Sequence, residues 1–462
     1  MYSYRSRYTF DGTVRTEKMI KNRKLTEGPI LKNLMLFALP MMIGNLLQQV
    51  YNIADMMIVG KFIGADALAA VGSAYTLMIF LTSLVIGLCM GSGALFSKSY
   101  GAGEMGEMRQ DIRLSFYFIG GVTLVLYLLI FPGTDIILHF LAVPEEIYPL
   151  MREYVKIIFA GLGFTFLYNF FAYLLRAIGN SVVPLYFLGL SSGINIVLDL
   201  YFVTSLHWGV SGAAVATVIS QGISGVGILI YALIKYKEHL KMKEATNWKR
   251  LGSIIQNDVF TGLQQSVMNF GILMIQGLVN SFGTAIMAAF AAAVKIDTLA
   301  YMPAQEFGNA YSLFVSQNYG AKKQERIQSG TKIAIGVSVG FCFVISLIIW
   351  IFSPQFMGMF VDGNEEKIII EGVKYLRIEG SFYFGIGILF LLYGYFRGVQ
   401  QAEMSLVLTV ISLGTRVFLS YLLAPNTPMG VNAIWWSIPI GWILADAIGI
   451  WKYKKNTSGA KN

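Results

Sequence analysis

An aspartate lies in a stretch that otherwise reads as membrane-spanning, Pro40 to Gly60, PMMIGNLLQQVYNIADMMIVG. At helical spacing Gly44, Gln48, Tyr51, Asn52 and Asp55 fall on one stripe, while the rest of the surface is Met, Ile, Leu and Val. That pattern describes a lined cavity wall, with Gln48, Tyr51 and Asn52 as candidate substrate contacts. An ionised carboxylate at bilayer depth costs about 2.5–3.5 kcal/mol on insertion scales, so such a group faces water, a partner or a cargo. The plainer alternative places Asp55 near the outer end of its helix, solvated or paired with Lys61.

A second intramembrane acid, Asp199, lies in SSGINIVLDLYFV, with Asn195 one turn before it and Ser192, a further candidate substrate contact, before that on the same face. Hard oxygen ligands of this kind suit a small cation such as sodium, and two close carboxyls would instead share a proton. Spacing leaves both alternatives open. At the matching positions of the second half, Asp55 becomes Met274, Asn195 becomes Arg416 and Asp199 becomes Ser420, so lopsided chemistry is predicted. That half carries Lys295, Asp297, Glu306 and Arg416 within or near the bilayer. Lys295 and Asp297 either line a central cleft or pair with neighbours, whereas Glu306 and Asp446 read as structural. His139, His207 and His239 are too scattered for a ligand set. No nucleophile motif, P-loop or GxGxxG stands in a suitable context, so neither an enzyme nor a cofactor is expected.

These residues need helices to hold them, and the composition supplies them. The 462-residue chain is 55% hydrophobic and 13% charged, with mean hydropathy +0.61, which excludes an ordinary soluble domain. Apolar runs of about 20 residues, the length that crosses a bilayer core, recur throughout. The first 28 residues are polar and basic without an apolar core, so a tail is expected rather than a signal peptide. Cys89 and Cys342 fall in apolar runs of different halves and read as small core residues.

Twelve helices are predicted, at roughly 30–58, 66–97, 110–131, 148–178, 182–204 and 210–236, then 254–281, 285–316, 330–352, 368–397, 403–424 and 431–453. The corresponding organisation is a tail at 1–29, a lobe at 30–236, a linker at 237–253, a second lobe at 254–453 and a tail at 454–462. The outer segments 131–147 and 352–368 read as short caps. With both ends on one side, 27 of the 35 basic residues fall on that side, which the positive-inside rule makes cytoplasmic. The net charge of +9 is then topological and calls for no nucleic acid. The halves repeat: a shift of 219 lays SKSYGAGEMGEM (97–108) on SQNYGAKKQERI (316–327), and a shift of 221 lays Arg176 on Arg397. Six helices each in the same orientation make a parallel repeat about an axis along the membrane normal.

Several stretches together resemble the multidrug and toxic compound extrusion family, within the larger group of flippase-like exporters. They are LPMMIGNLLQQVYNIADMMIVGKFIGADALAAVG, GVSGAAVATVISQ (209–221), RAIGN and RGVQQ after the fourth and tenth helices, and MPAQEFGNAYSLFVSQNYGA (302–321). The resemblance covers nearly all of 30–453. It implies an all-α, twelve-helix, V-shaped transporter that exports organic cations in exchange for sodium or protons. The implied setting is a bacterial or archaeal inner membrane, with both termini cytoplasmic and the protein working as a monomer. The branch with an amino-lobe cation site uses an acid in the first helix, Asn and Asp four apart in the fifth, and Thr in the sixth. Those positions match Asp55, Asn195, Asp199 and Thr217 here. A helix-bending proline of that branch matches Pro40, and its pocket positions match Gln48 and Tyr51. The family's other coupling pattern, acids in the seventh and mid-tenth helices, is missing: 268–274 has no acid, and Glu379 sits too near the outer end. A lipid-linked precursor flippase of the same fold is the alternative, kept open by Arg416 and Lys295.

Overall fold

The computed structural model describes residues 23–141, 143–241, 246–360 and 365–459. The expected tail before residue 23, the last three residues and the His239 side chain lie outside them. The first half contains α1 (Ile30–Phe62), α2 (Ala65–Ala102), α3 (Met105–Phe140), α4 (Tyr148–Ala160), α5 (Leu162–Ala177), α6 (Val182–Leu200) and α7 (Gly209–Lys235). The second contains α8 (Leu251–Asn280), α9 (Thr284–Gly320), α10 (Gln324–Gly358), α11 (Glu366–Gly380), α12 (Tyr383–Gly398), α13 (Ala402–Leu423) and α14 (Val431–Gly459).

Nine described helices are long and apolar enough to cross a bilayer, and the bent pairs α4/α5 and α11/α12 each add one span. The remaining long helix, α8, carries Gln256, Asn257, Asp258, Gln264 and Gln265 in its first half, which lowers its hydropathy. The segments 148–178 and 368–397, expected as single helices, are instead bent by 44° and 52°. At the first bend a side chain on Gly161 would stand 2.9 Å from Val218 Cγ2, so glycine lets the kinked backbone press onto α7. The expected outer caps are also corrected. FPGTDIILHF forms the last turns of α3 and FSPQFMG those of α10, each helix running through its proline. A proline costs a helix one hydrogen bond, which a long apolar span tolerates.

Two core clusters fill the first half, one around Phe96, Phe166, Phe170 and Phe171 and one around Val59, Val71, Tyr154 and Phe159. The second half's cluster includes Tyr311, Phe314, Tyr383 and Trp435, and it also takes in Leu34, Phe37, Ala38 and Met41 from the start of α1. The first third of α1 therefore packs with the second half, while Ile58 and Val59 pack with the first. Pro40 sits beside that crossover, half-buried inside the helix.

The repeated SxxYGA segments explain themselves where α2 crosses α9. Ser97 Oγ donates to the Leu313 carbonyl at 3.1 Å, and its counterpart Ser316 Oγ donates to the Ala94 carbonyl at 2.6 Å. A Cβ on Gly101 would lie 2.0 Å from the Gln317 carbonyl oxygen, and one on Gly320 would lie 2.0 Å from that of Lys98. Each repeat thus gives the other the same serine bond and the same glycine notch. The segment before α1 straps this end: Arg23 N donates to the Gly179 carbonyl at 3.0 Å, and Leu25 N to Gln317 Oε1 at 3.1 Å. In the linker, Arg250 grips Asp111 of α3 through Nε and Nη2 at 2.8 and 3.0 Å, and Glu107 at 3.0 Å.

Candidate functional site: a carboxyl pair between α1 and α6

Asp55 comes from α1, Asn195 and Asp199 from α6, and Thr217 from α7, and all four are buried, at 7%, 2%, 0% and 7% exposure. Asn195 Nδ2 donates to Thr217 Oγ1 at 3.3 Å, which ties α6 to α7 and turns the amide oxygen away from its own donor. The carboxyls of Asp55 and Asp199 meet within hydrogen-bonding reach of each other. Carboxylates only accept, so that bond forms only with a proton between them. Asp55 Oδ1, both oxygens of Asp199 and Asn195 Oδ1 have no hydrogen-bond donor. Among the described residues no basic side chain pairs with either acid; Lys61 is exposed and lies over the Phe62 ring instead. Four orphaned acceptors on buried side chains match the chemistry of a shared proton or a small hard cation.

Directly after Asp199 the backbone relaxes into a π-turn, Tyr201–Ser205, an irregularity common beside functional side chains. Phe202 of that turn stacks on Trp208 at 4.9 Å, which pins the widened backbone.

Around the pair, Asn52 Nδ2 donates to the Tyr75 hydroxyl of α2 at 3.1 Å, and Gln48 lies one turn before Tyr51 on the same helix. Gln48 is exposed, with Tyr51 and Asn52 half-buried between it and Asp55. Two expectations shift. Gly44 does not line the wall: it is buried against Leu185 and Leu188 of α6. Ser192 gives its hydroxyl proton to the Leu188 carbonyl of its own helix at 2.9 Å, so only its lone pairs remain for a ligand. Three tyrosines were not singled out from the sequence. Tyr75 takes the Asn52 bond, Tyr154 is 3% exposed beside both acids, and Tyr168 donates to the Pro184 carbonyl at 3.1 Å. Their one signal was a hydroxyl inside an apolar run.

The matching place in the second half is inert. Met274 is exposed, and Ser420 and Ser437 share a 2.8 Å hydrogen bond where the first half has Asp199 and Thr217. The second half is nevertheless not without paired acids, because a second carboxyl pair forms there from other helices. Asp297 of α9 and Glu379 of α11 are 4% and 1% exposed and meet within hydrogen-bonding reach, and the Tyr383 hydroxyl donates to Asp297 Oδ1 at 2.6 Å. Arg416 of α13, 9% exposed, acts electrostatically on both. Glu379 is near a helix end in sequence, yet the α11/α12 bend folds that end into the core. Lys295, two residues from Asp297, points the other way and is exposed. Glu306 spans the halves: its Oε1 accepts from Asn45 of α1 at 3.0 Å and from Asn309 at 3.1 Å.

Comparison with known proteins agrees with this architecture. The MatE family model matches residues 40–201 and again 260–422, once per half. The probable multidrug resistance protein YpnP of Bacillus subtilis is 29% identical over 85% of this chain and 88% of its own length. The probable multidrug resistance protein NorM of Thermotoga maritima is 26% identical over 88% of each chain. A solved structure described as the outward-facing conformation of a multidrug resistance MATE family transporter superposes with TM-score 0.90 at 24% identity. It covers 96% of this chain and all of that one. A transporter from Pyrococcus furiosus, described as having a binding pocket of reverse polarity, superposes equally well. With the family model matched in both halves and the spans laid out as above, the chain belongs to the MatE family of multidrug and toxic compound extrusion transporters, multi-pass membrane proteins rather than enzymes.

Proposed function

We propose that this protein exports cationic, amphipathic drugs by secondary antiport, exchanging them for sodium ions or protons at Asp55, Asn195, Asp199 and Thr217. One observation carries the reading: two buried carboxyls from separate helices meet with three of their oxygens unpaired and, among the described residues, no base paired with them. Burying unpaired charge is costly, so the pair holds a proton, an ion or a cationic cargo at every stage of a cycle. An ion arriving there expels the cargo, and Gln48, Tyr51 and Asn52 shape the surface the cargo leaves. Pro40 is the hinge, because α1 changes lobes beside it and a proline leaves one ladder bond unmade. The names of the relatives, multidrug resistance and multidrug export proteins, support the cargo class.

The strapped SxxYGA end is the cytoplasmic end in this reading, since the basic residues gather there. A membrane potential adds about 2.3 kcal/mol per charge per 100 mV, enough for gradients of tenfold and more. Reconstitution into liposomes with an imposed sodium or pH gradient tests the proposal. Dye movement should follow one of the two gradients. Movement that ignores both, or that needs ATP, contradicts antiport.

A further inference from the structure

The segment before α1 lies across both halves at the SxxYGA end, and it holds the two unequally. Leu25 is fully buried and belongs to the second half's core cluster. Its N–H donates to Gln317 Oε1 at 3.1 Å, and its carbonyl accepts from Asn318 Nδ2 at 3.3 Å and from Arg326 Nε at 3.2 Å. Arg326 Nη2 also donates to the Glu27 carbonyl at 2.9 Å, and Lys323 Nζ to that of Thr26 at 2.9 Å. Toward the first half, among the described residues, the segment makes a single main-chain bond, Arg23 N to the Gly179 carbonyl at 3.0 Å.

Gly179 belongs to RAIGN, the turn that a shift of 221 lays on RGVQQ. Both turns place a left-handed residue at the same point, Gly179 with φ 86° and Gln400 with φ 63°. The turn itself therefore accepts a side chain there. What forbids one at 179 is the strap, because a Cβ would stand 2.0 Å from the Arg23 carbonyl oxygen. The first half thus has a bare notch where its repeat carries a glutamine, and the strap fills it. The start of α1 continues the same bias, with Leu34, Phe37, Ala38 and Met41 in the second half's core. When one lobe rocks against the other, a segment carried by the first must let go of the second at its weaker side.

We propose that residues 23–29 form a releasable latch, carried by the second half and hooked into the Gly179 notch, that biases the protein toward the state closed at its cytoplasmic end. Opening to the cytoplasm parts Arg23 from Gly179 while Leu25 stays in its pocket. A contact made only in the closed state shifts the balance of states by its own free energy. The proposal rests on the export reading for the need to open at that end, and its test separates the two.

Spin labels on Lys235→Cys and Lys454→Cys, exposed at the cytoplasmic ends of α7 and α14, report the opening in full-length protein in nanodiscs. Double electron–electron resonance gives the ratio of long to short distances, with and without a cationic dye. Gly179→Gln, which installs the residue the other repeat holds at this point, should raise the long-to-short ratio by roughly two- to tenfold, as loss of one buried hydrogen bond allows. Arg326→Gln loosens the latch from the opposite side at a half-buried position that folding tolerates, and should raise the ratio in the same range. An unchanged or lowered ratio in both variants overturns the latch. Wild-type liposomes that move no dye under a sodium or pH gradient contradict the export reading alone, since the distances still decide whether the strap holds this end shut.

Discussion

Each half of the molecule buries a carboxyl pair drawn from two helices, among its buried acids, and the two pairs are provided for differently. In the first half, Asp55 and Asp199 face each other with three carboxylate oxygens unpaired and, among the described residues, no base paired with them. In the second, Asp297 receives the Tyr383 hydroxyl, Glu379 neighbours Tyr375, and Arg416 supplies a positive charge to both. A pair with its own cation has no need to take one from solution, and removing that cation would expose the cost of burying the acids. A pair without one takes its compensation from outside. Duplication gave both lobes the same helices, and the difference in charge is what supports reading one site as exchangeable and the other as structural.

The sharpest way to break this comparison is to neutralise each pair in turn. Asp55→Asn should lower gradient-driven efflux by roughly 5- to 150-fold, the factor that a coupling of about 1–3 kcal/mol supplies, with surface expression unchanged on immunoblots. Asp199→Asn should fall in the same range, since the shared proton or ion needs both partners. Asp297→Asn should act on stability instead. It should cost about 1–3 kcal/mol, seen as a lower thermal midpoint in detergent, while the transport that remains keeps its ion dependence. Loss of ion dependence there would erase the distinction between the lobes. Thr217→Val removes the acceptor of the Asn195 amide. That should shift the half-saturating ion concentration by a few-fold, in line with about 1 kcal/mol for one buried hydrogen bond. The smallest effect is expected from Tyr383→Phe, which removes one donor from Asp297 and should cost about 1 kcal/mol of stability without altering transport.

Much of this architecture was legible in the residues. Spans announce themselves through apolar runs, and an acid within one is conspicuous, so Asp55 and Asp199 stood out. Their meeting was harder to read, because nothing in the spacing of one helix says which neighbour it packs on. Gly44 shows where they meet: its backbone faces Leu185 and Leu188, so that α1 lies against α6 there. The second carboxyl pair was missed for a related reason. Asp297 and Glu379 are 82 residues apart, with no shared motif, and only the bend between α11 and α12 brings Glu379 inward. Likewise 131–147 and 352–368 read as caps, but each helix continues through its proline, Pro132 or Pro354, as a bilayer span tolerates. The SxxYGA repeat was visible as a pattern, and its reason, two glycine notches receiving each other's carbonyls, is a contact between halves that no linear reading contains.

The most direct measurement is ion displacement by cargo. Purified protein loaded with radioactive sodium, or held in weakly buffered solution with a pH indicator, is titrated with a cationic dye. Wild-type protein and Asp297→Asn should release sodium ions or protons in proportion to the dye bound, while Asp55→Asn and Asp199→Asn release none. Undiminished release from the Asp55 and Asp199 variants, or its loss in Asp297→Asn alone, would contradict placing the exchange between α1 and α6.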